Sequence, residues 1–145
     1  AAATSYDHAI RHAGGVDIQI LGIGANGHIA FNEPTSSLRS RTRLIDLHPR
    51  TIEDNARFFD SADEVPRQAL TQGIGTILEA RHLVLIATGP AKANAVQALV
   101  EGPLSASCPA SALQLHNAAK VVVDESAAEM LTGAETYKAF DPYWR

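Results

Sequence analysis

An α/β fold with a mainly parallel sheet flanked by helices is predicted by three observations. Leu83-Val84-Leu85-Ile86-Ala87-Thr88 is a short continuous apolar run, the pattern of a strand buried on both faces, and Gly89-Pro90 turns it into a helical stretch over 91–100. Val16-Asp17-Ile18-Gln19-Ile20-Leu21 alternates apolar and polar residues and enters a glycine-rich run directly. Strand-like and helical segments alternate along the chain, an order that builds a parallel sheet with ligands gathered at the carboxyl ends of its strands.

In chain order, residues 1–12 are rich in helix formers and Gly14-Gly15 ends that helix. After the glycine run, Leu44 to His48 reads as a short strand. Thr51 is an N-cap candidate for a helix over 51–59 that projects Arg57 from its last turn. Pro66 suits the first position of a helix over 67–71, and Gly73-Ile74-Gly75 leads into another over 76–80. Gly102-Pro103 closes the helix after the apolar strand. Residues 109–116 form a further helix, 120–124 a third strand, and 126–131 a last helix. The tail from Tyr137 to Arg145 holds two of the three tyrosines and the only tryptophan, which predicts that it docks on something.

With 145 residues, 46% hydrophobic and 19% charged, the chain has the size and composition of one globular domain spanning 1–145. A net charge of −4 with scattered Lys and Arg argues against a general nucleic-acid binder and leaves room for a local cationic pocket. No apolar run approaches the roughly 20 residues that span a bilayer, and residues 1–7 show no signal pattern, so a soluble chain is expected. The single Cys108 excludes an internal disulfide, fits a reducing, cytoplasmic setting and reads as a small buried hydrophobe.

The chemistry concentrates in Gly22-Ile23-Gly24-Ala25-Asn26-Gly27-His28-Ile29-Ala30-Phe31-Asn32-Glu33-Pro34. Gly22, Gly24 and Gly27 satisfy a dinucleotide-binding spacing, and Asp46 lies near the place of a ribose-binding acid. That fingerprint must open a helix, however, and Pro34 makes a long helix here unfavourable. His28 and Glu33 are a pair suited to proton transfer, because a carboxylate bonded to one ring nitrogen fixes the tautomer and leaves the other nitrogen to work. Asn26 can orient either partner. No second carboxylate or histidine cluster suggests a metal. Lys92 stands at a predicted helix start, and with Arg57 it could clamp a phosphate. The plain alternatives are a turn residue, a satisfied histidine and surface charges. That plain reading is preferred for His8, His12, His48, His82 and His116.

The glycine run through Phe31-Asn32-Glu33-Pro34 resembles the signature of glucosamine-6-phosphate deaminases. Ser40-Arg41-Thr42-Arg43, Asn55 to Phe59, Val65-Pro66, Gly73 to Thr76, Gly89 to Lys92, Glu101-Gly102 and Ser111 to His116 resemble that family in the same order. The related phosphogluconolactonases share the fold and a histidine-bearing loop without the Phe-Asn-Glu-Pro continuation. The resemblance implies a Rossmann-like fold and conversion of glucosamine 6-phosphate to fructose 6-phosphate and ammonia, with no metal or organic cofactor. It assigns ring opening to His28 and Glu33 with support from Asn26, and phosphate binding to Arg57 and Lys92. In members that are hexamers activated by N-acetylglucosamine 6-phosphate, the allosteric residues correspond to Ser36, Arg43 and Tyr137. Ile45 and Asp46 stand where those enzymes carry other polar residues.

One departure bears on activity. The family carries a glycine- and serine-rich phosphate loop and the aspartate that removes the C2 proton in an N-terminal part, and neither precedes Ala1. The chain therefore resembles the C-terminal half of such an enzyme, and negligible turnover by these residues alone is expected. Strands of the parent sheet would be left unpaired unless an N-terminal part or another copy completes it. A non-catalytic sugar-phosphate-binding module and a lactonase-like hydrolase are the competing expectations.

Overall fold

Residues 2–140 are described by a computed structural model. The chain runs α1 (Ala2–His12), β1 (Ile18–Leu21), β2 (Arg43–Asp46), α2 (Pro49–Asn55), β3 (Gln68–Thr71), α3 (Ile74–Ile77), β4 (His82–Ala87), α4 (Ala93–Val100), β5 (Ala119–Val123) and α5 (Ala134–Phe140). Turns of 3-10 helix cover Ala56–Phe58, Ala62–Glu64, Pro90–Lys92 and Pro109–Leu115. Strands β1, β4 and β5 form a parallel sheet in the order β1-β4-β5, as the alternation of strands and helices predicts. No helix among the described residues is long and apolar enough to cross a membrane.

The register sets Leu21 beside Leu85 and Leu85 beside Val121, all on one face of the sheet. Leu21, Leu83, Leu85 and Ala87 on that face join Ile74, Ile77, Val96 and Leu99 in one core. Burying a Leu or Val side chain contributes about 1.5–3 kcal/mol, so this face carries the main hydrophobic stabilisation. The expectation that β4 is buried on both faces is corrected: burial alternates along it, and Ile86 is exposed on the other face with Ile18, Ile20 and Val122.

A second, two-stranded sheet pairs β2 with β3 antiparallel, Leu44 opposite Leu70. The helix expected over 67–71 is therefore a strand. Gln, Ala and Leu favour a helix locally, but the ladder to β2 and the Gln68–Asp46 side-chain bond of 2.8 Å override that preference. The helix expected over 51–59 begins earlier, with Pro49 at its first position and the amides of Thr51 and Ile52 on His48 O, and it tightens to 3-10 after Asn55. The helix over 76–80 shortens to the single turn of α3, and that over 109–116 is 3-10. Residues 126–131 form turns instead of a helix, because Asp124 takes the Ala127 amide and the Ser126 hydroxyl on its own carboxylate. Tyr137 does dock, donating its hydroxyl to Glu101 at 3.2 Å, whereas residues 141–145, including Tyr143 and Trp144, lie outside the described residues.

Asp7 ties α1 to the rest. Its buried carboxylate accepts from the Thr42 hydroxyl, from Arg41 Nε at 2.9 Å and from Thr76 Oγ1 at 3.3 Å. Burial disfavours the charge, but the Thr42 and Arg41 hydrogen bonds and the Arg41 charge outweigh it and hold the carboxyl below its usual pKa. A group with a depressed folded-state value contributes stability above its unfolded value, about 3.9, and loses that contribution as pH falls through the folded value. Asp7→Asn should cost about 1–3 kcal/mol at neutral pH and flatten the acid limb of the stability curve. Urea unfolding from neutral to strongly acidic pH measures both, and an unchanged acid slope in the variant would remove Asp7 as its cause.

Candidate active site

The glycine run leaves the carboxyl end of β1 as a closed loop. The Gly24 amide donates to His28 O, the Gly27 amide to Gly24 O and the Ala110 amide to Gly27 O, each at 2.9 Å. Two glycines are required on steric grounds. Gly27 has φ +84° and rests on Cys108, whose Sγ would lie 2.7 Å from a Cβ added at 27. A Cβ on Gly24 would stand 2.2 Å from Cε1 of His28, so the bare backbone at 24 is the seat of the imidazole. Half-buried Cys108 is a packing thiol, with burial pushing its pKa up.

Asn26 lies between the two residues that the sequence pairs. Its Nδ2 donates to Glu33 Oε2 at 2.7 Å, while its Oδ1 lies 2.7 Å from His28 Nδ1 and accepts the His28 amide at 3.2 Å. Glu33 Oε2 itself is 3.5 Å from Nδ1. The direct carboxylate–imidazole bond expected from sequence is thus replaced by a relay through an amide. Because a carboxylate only accepts, it fixes the amide orientation, and the Asn26 oxygen in turn requires the proton of neutral His28 to sit on Nδ1. Nε2 is left to exchange protons.

Neighbouring elements hold this relay in place. Thr51, inside α2, directs its hydroxyl to Glu33 Oε1 at 3.4 Å. Asn32 is fully buried; its Nδ2 donates to Ile29 O at 3.1 Å and Gln72 O at 2.8 Å, and its Oδ1 accepts from Arg43 Nη1 at 2.8 Å. Ala30, at φ 50°, makes the left-handed step of the turn closed by the Asn32 amide on Ile29 O.

Lys92 comes from the loop after β4 and donates Nζ to Ile23 O at 2.7 Å. Asp124 braces that loop by accepting the Gly89 amide at 3.0 Å; the Ala127 and Gly89 amides hold its carboxyl below the usual range. Gly22, Asn26, His28, Glu33, Thr51 and Lys92 share one open cleft of about 680 Å³. Arg57 is exposed outside that lining, its guanidinium 4.8 Å above the Phe58 ring. Ser36 meets Arg43, Oγ to Nη2 at 3.2 Å, whereas Tyr137 is engaged with Glu101. Among the described residues no three His, Cys, Asp or Glu side chains form a metal-holding group. Sequence reasoning missed Thr51, read as a cap, and the bracing roles of Asn32 and Asp124.

A parallel α/β sheet with an imidazole on one strand-end loop and an ammonium on the neighbouring one defines an α/β class of protein with a polar cleft at its strand ends. Within that class, the chain belongs to the glucosamine-6-phosphate isomerase/6-phosphogluconolactonase family, whose profile matches residues 1–123. It is 69% identical over 137 residues to a glucosamine-6-phosphate deaminase of Corynebacterium aurimucosum, covering 94% of this chain and 54% of the relative. A Streptomyces avermitilis deaminase is 60% identical, over 99% of this chain and 57% of its own. Among solved structures, a monomeric glucosamine-6-phosphate deaminase superposes with a TM-score of 0.83 at 47% identity, covering 88% of this chain and 53% of that one. A 6-phosphogluconolactonase from Trypanosoma cruzi has TM-score 0.63 at 22% identity over 90% of this chain and 51% of its own, a likeness of fold alone. The chain spans about half the length of the curated relatives it matches.

Asn32→Ala would strip donors from two carbonyls and the acceptor from Arg43, at a cost of about 2–4 kcal/mol. Urea unfolding reads the loss, and a change below about 0.5 kcal/mol would show that the clamp is dispensable.

Proposed function

We propose that the cleft binds glucosamine 6-phosphate and opens its pyranose ring, the first step of its conversion with water to fructose 6-phosphate and ammonia. The observation that carries this reading is the Glu33–Asn26–His28 relay, which leaves Nε2 available at the cleft. His28 takes the C1 hydroxyl proton and returns a proton to the ring oxygen. The C1–O5 bond breaks and C1 becomes a carbonyl. The relay keeps Nδ1 protonated and stabilises the imidazolium formed in passing, with Glu33 supplying the negative charge. Lys92 holds the substrate phosphate as a point charge, and Arg57 strengthens the clamp when its side chain turns from Phe58 to the anion.

Opening matters because the C1 carbonyl acidifies the C2 proton. Transfer of that proton toward C1, addition of water at C2 and departure of the amine complete an aldose-to-ketose isomerisation with hydrolytic deamination. Among the described residues lining the cleft, Glu33 is the only carboxylate, and it is engaged in the relay. The resemblance to the deaminases puts the base for C2 in the part of those relatives that this chain does not span, so the 145 residues alone are expected to open the ring without releasing ammonia at an enzymatic rate. Binding of the same substrate without faster ring opening would make the chain a sugar-phosphate-binding module instead. Turnover of 6-phosphogluconolactone would make it a lactonase.

Exchange NMR on the two anomers of glucosamine 6-phosphate tests ring opening in the chain itself. Anomeric exchange should accelerate with added chain, and His28→Gln should remove the acceleration while leaving binding within about threefold. Lys92→Ala should weaken calorimetric binding by about tenfold or more, the loss of one charge-assisted contact. Exchange equally fast with His28→Gln would overturn the assignment.

A further inference from the structure

A carboxylate that does not itself line the cleft controls the loop on its ammonium side. Asp124 follows β5, whose register sets Val123 beside Ala87 at the end of β4, so it falls next to the loop that carries Lys92. Both of its carboxylate oxygens accept the Gly89 amide, at 3.1 and 3.0 Å. Oδ1 also accepts the Ala127 amide at 2.8 Å and the Ser126 hydroxyl at 3.0 Å. Ala127 is fully buried in the core, so the carboxylate is anchored by an amide that does not shift. Gly89 stands at φ 86°, ψ 156°, a conformation open essentially only to glycine and kept only where the surroundings hold it. Here its amide is held by Asp124, and its carbonyl accepts the Lys92 amide at 3.1 Å. Lys92 Nζ then donates to Ile23 O at 2.7 Å. Consecutive hydrogen bonds thus join the end of β5 to the ammonium in the cleft.

We infer, on the reading of Lys92 as the phosphate contact, that Asp124 is a positioning residue for anion binding: by fixing the Gly89 peptide it sets where the ammonium stands and so how tightly the cleft holds a phosphate. Lysine is a point charge on a flexible stem. With its root loose, the ammonium spreads over more rotamers, and ordering them on binding weakens the contact. The role is geometric and opposite in sign to that of the charge, since an anion near the cleft repels phosphate and its removal alone tightens binding. Asp124→Asn separates geometry from charge, because its amide oxygen can keep the Oδ1 bonds to Gly89, Ala127 and Ser126.

Calorimetry with glucosamine 6-phosphate on the 145-residue chain is the test. Asp124→Ala should raise Kd about tenfold, and Asp124→Asn should hold it within about threefold of the unaltered chain. Anomeric exchange at saturating ligand should stay within about twofold in both, because His28 lies on another loop. A merely structural role would lower urea stability and the fraction of chain able to bind while leaving Kd alone. Gly89→Ala, whose added Cβ meets no atom within 4 Å but is strained at positive φ, reaches the same loop by a second route and should weaken binding likewise, which keeps the test open should Asp124→Ala not fold. In a Lys92→Ala background, Asp124→Ala should add less than about twofold, since the group it acts through is gone. An unchanged Kd in folded Asp124→Ala and Gly89→Ala, tighter binding in both Asp124 variants, or losses that add to that of Lys92→Ala would overturn the inference and leave the cleft reading standing. A Lys92→Ala chain that binds as tightly as the unaltered one would instead overturn the phosphate assignment, and the inference with it.

Discussion

The glycine-rich loop keeps its shape because one amide side chain, that of Asn32, is buried with every polar atom engaged. An uncompensated buried amide is costly, so the surrounding carbonyls of Ile29 and Gln72 and the guanidinium of Arg43 are held to it as strongly as it is held to them. Glu33 follows directly in sequence. Its carboxylate therefore starts from a fixed backbone position, and the relay through Asn26 to His28 inherits that precision. The parallel sheet supplies the platform, but the antiparallel β2–β3 pair supplies the brace.

Within the relay, charge and proton are kept on different groups. A carboxylate touching the imidazole directly would form a close ion pair with its protonated form. With the Asn26 amide between them, the carboxylate is 3.5 Å from Nδ1 while the amide oxygen occupies the near position. The imidazole is oriented by a neutral acceptor and influenced by an anion one step away. Gly24 makes this arrangement possible by leaving room for the ring, and Lys92, bonded to Ile23 O, presses a positive charge against the same stretch of backbone.

Parts of this were legible in the sequence for physical reasons. The strand over 82–87 and the helical stretch after it announce themselves because the apolar run and Gly89-Pro90 act locally. His28, Asn26 and Glu33 fall within eight residues, so their proximity needed only a loop. What remained hidden depended on distant partners. Strand β3 is invisible in Gln-Ala-Leu-Thr until β2 is placed beside it, and the turns after Asp124 depend on which amides its carboxylate captures. The order of contact within the relay is likewise a matter of loop geometry. The direction of Arg57 was set by Phe58, the next residue along, whose ring offered the guanidinium a resting place outside the cleft.

The bond from Lys92 Nζ to Ile23 O closes a loop of 69 residues in sequence. Closure of that kind becomes favourable only after the intervening chain has ordered, since its entropic cost is met by non-local contacts. The imidazole half of the cleft depends on the β2–β3 brace around Asn32, and the ammonium half arrives only when β4 has aligned beside β1. A chain that ended before Lys92 would lack the ammonium side of the cleft altogether. Cleft completion is thus a late event in assembly, and it reports on the alignment of the sheet itself.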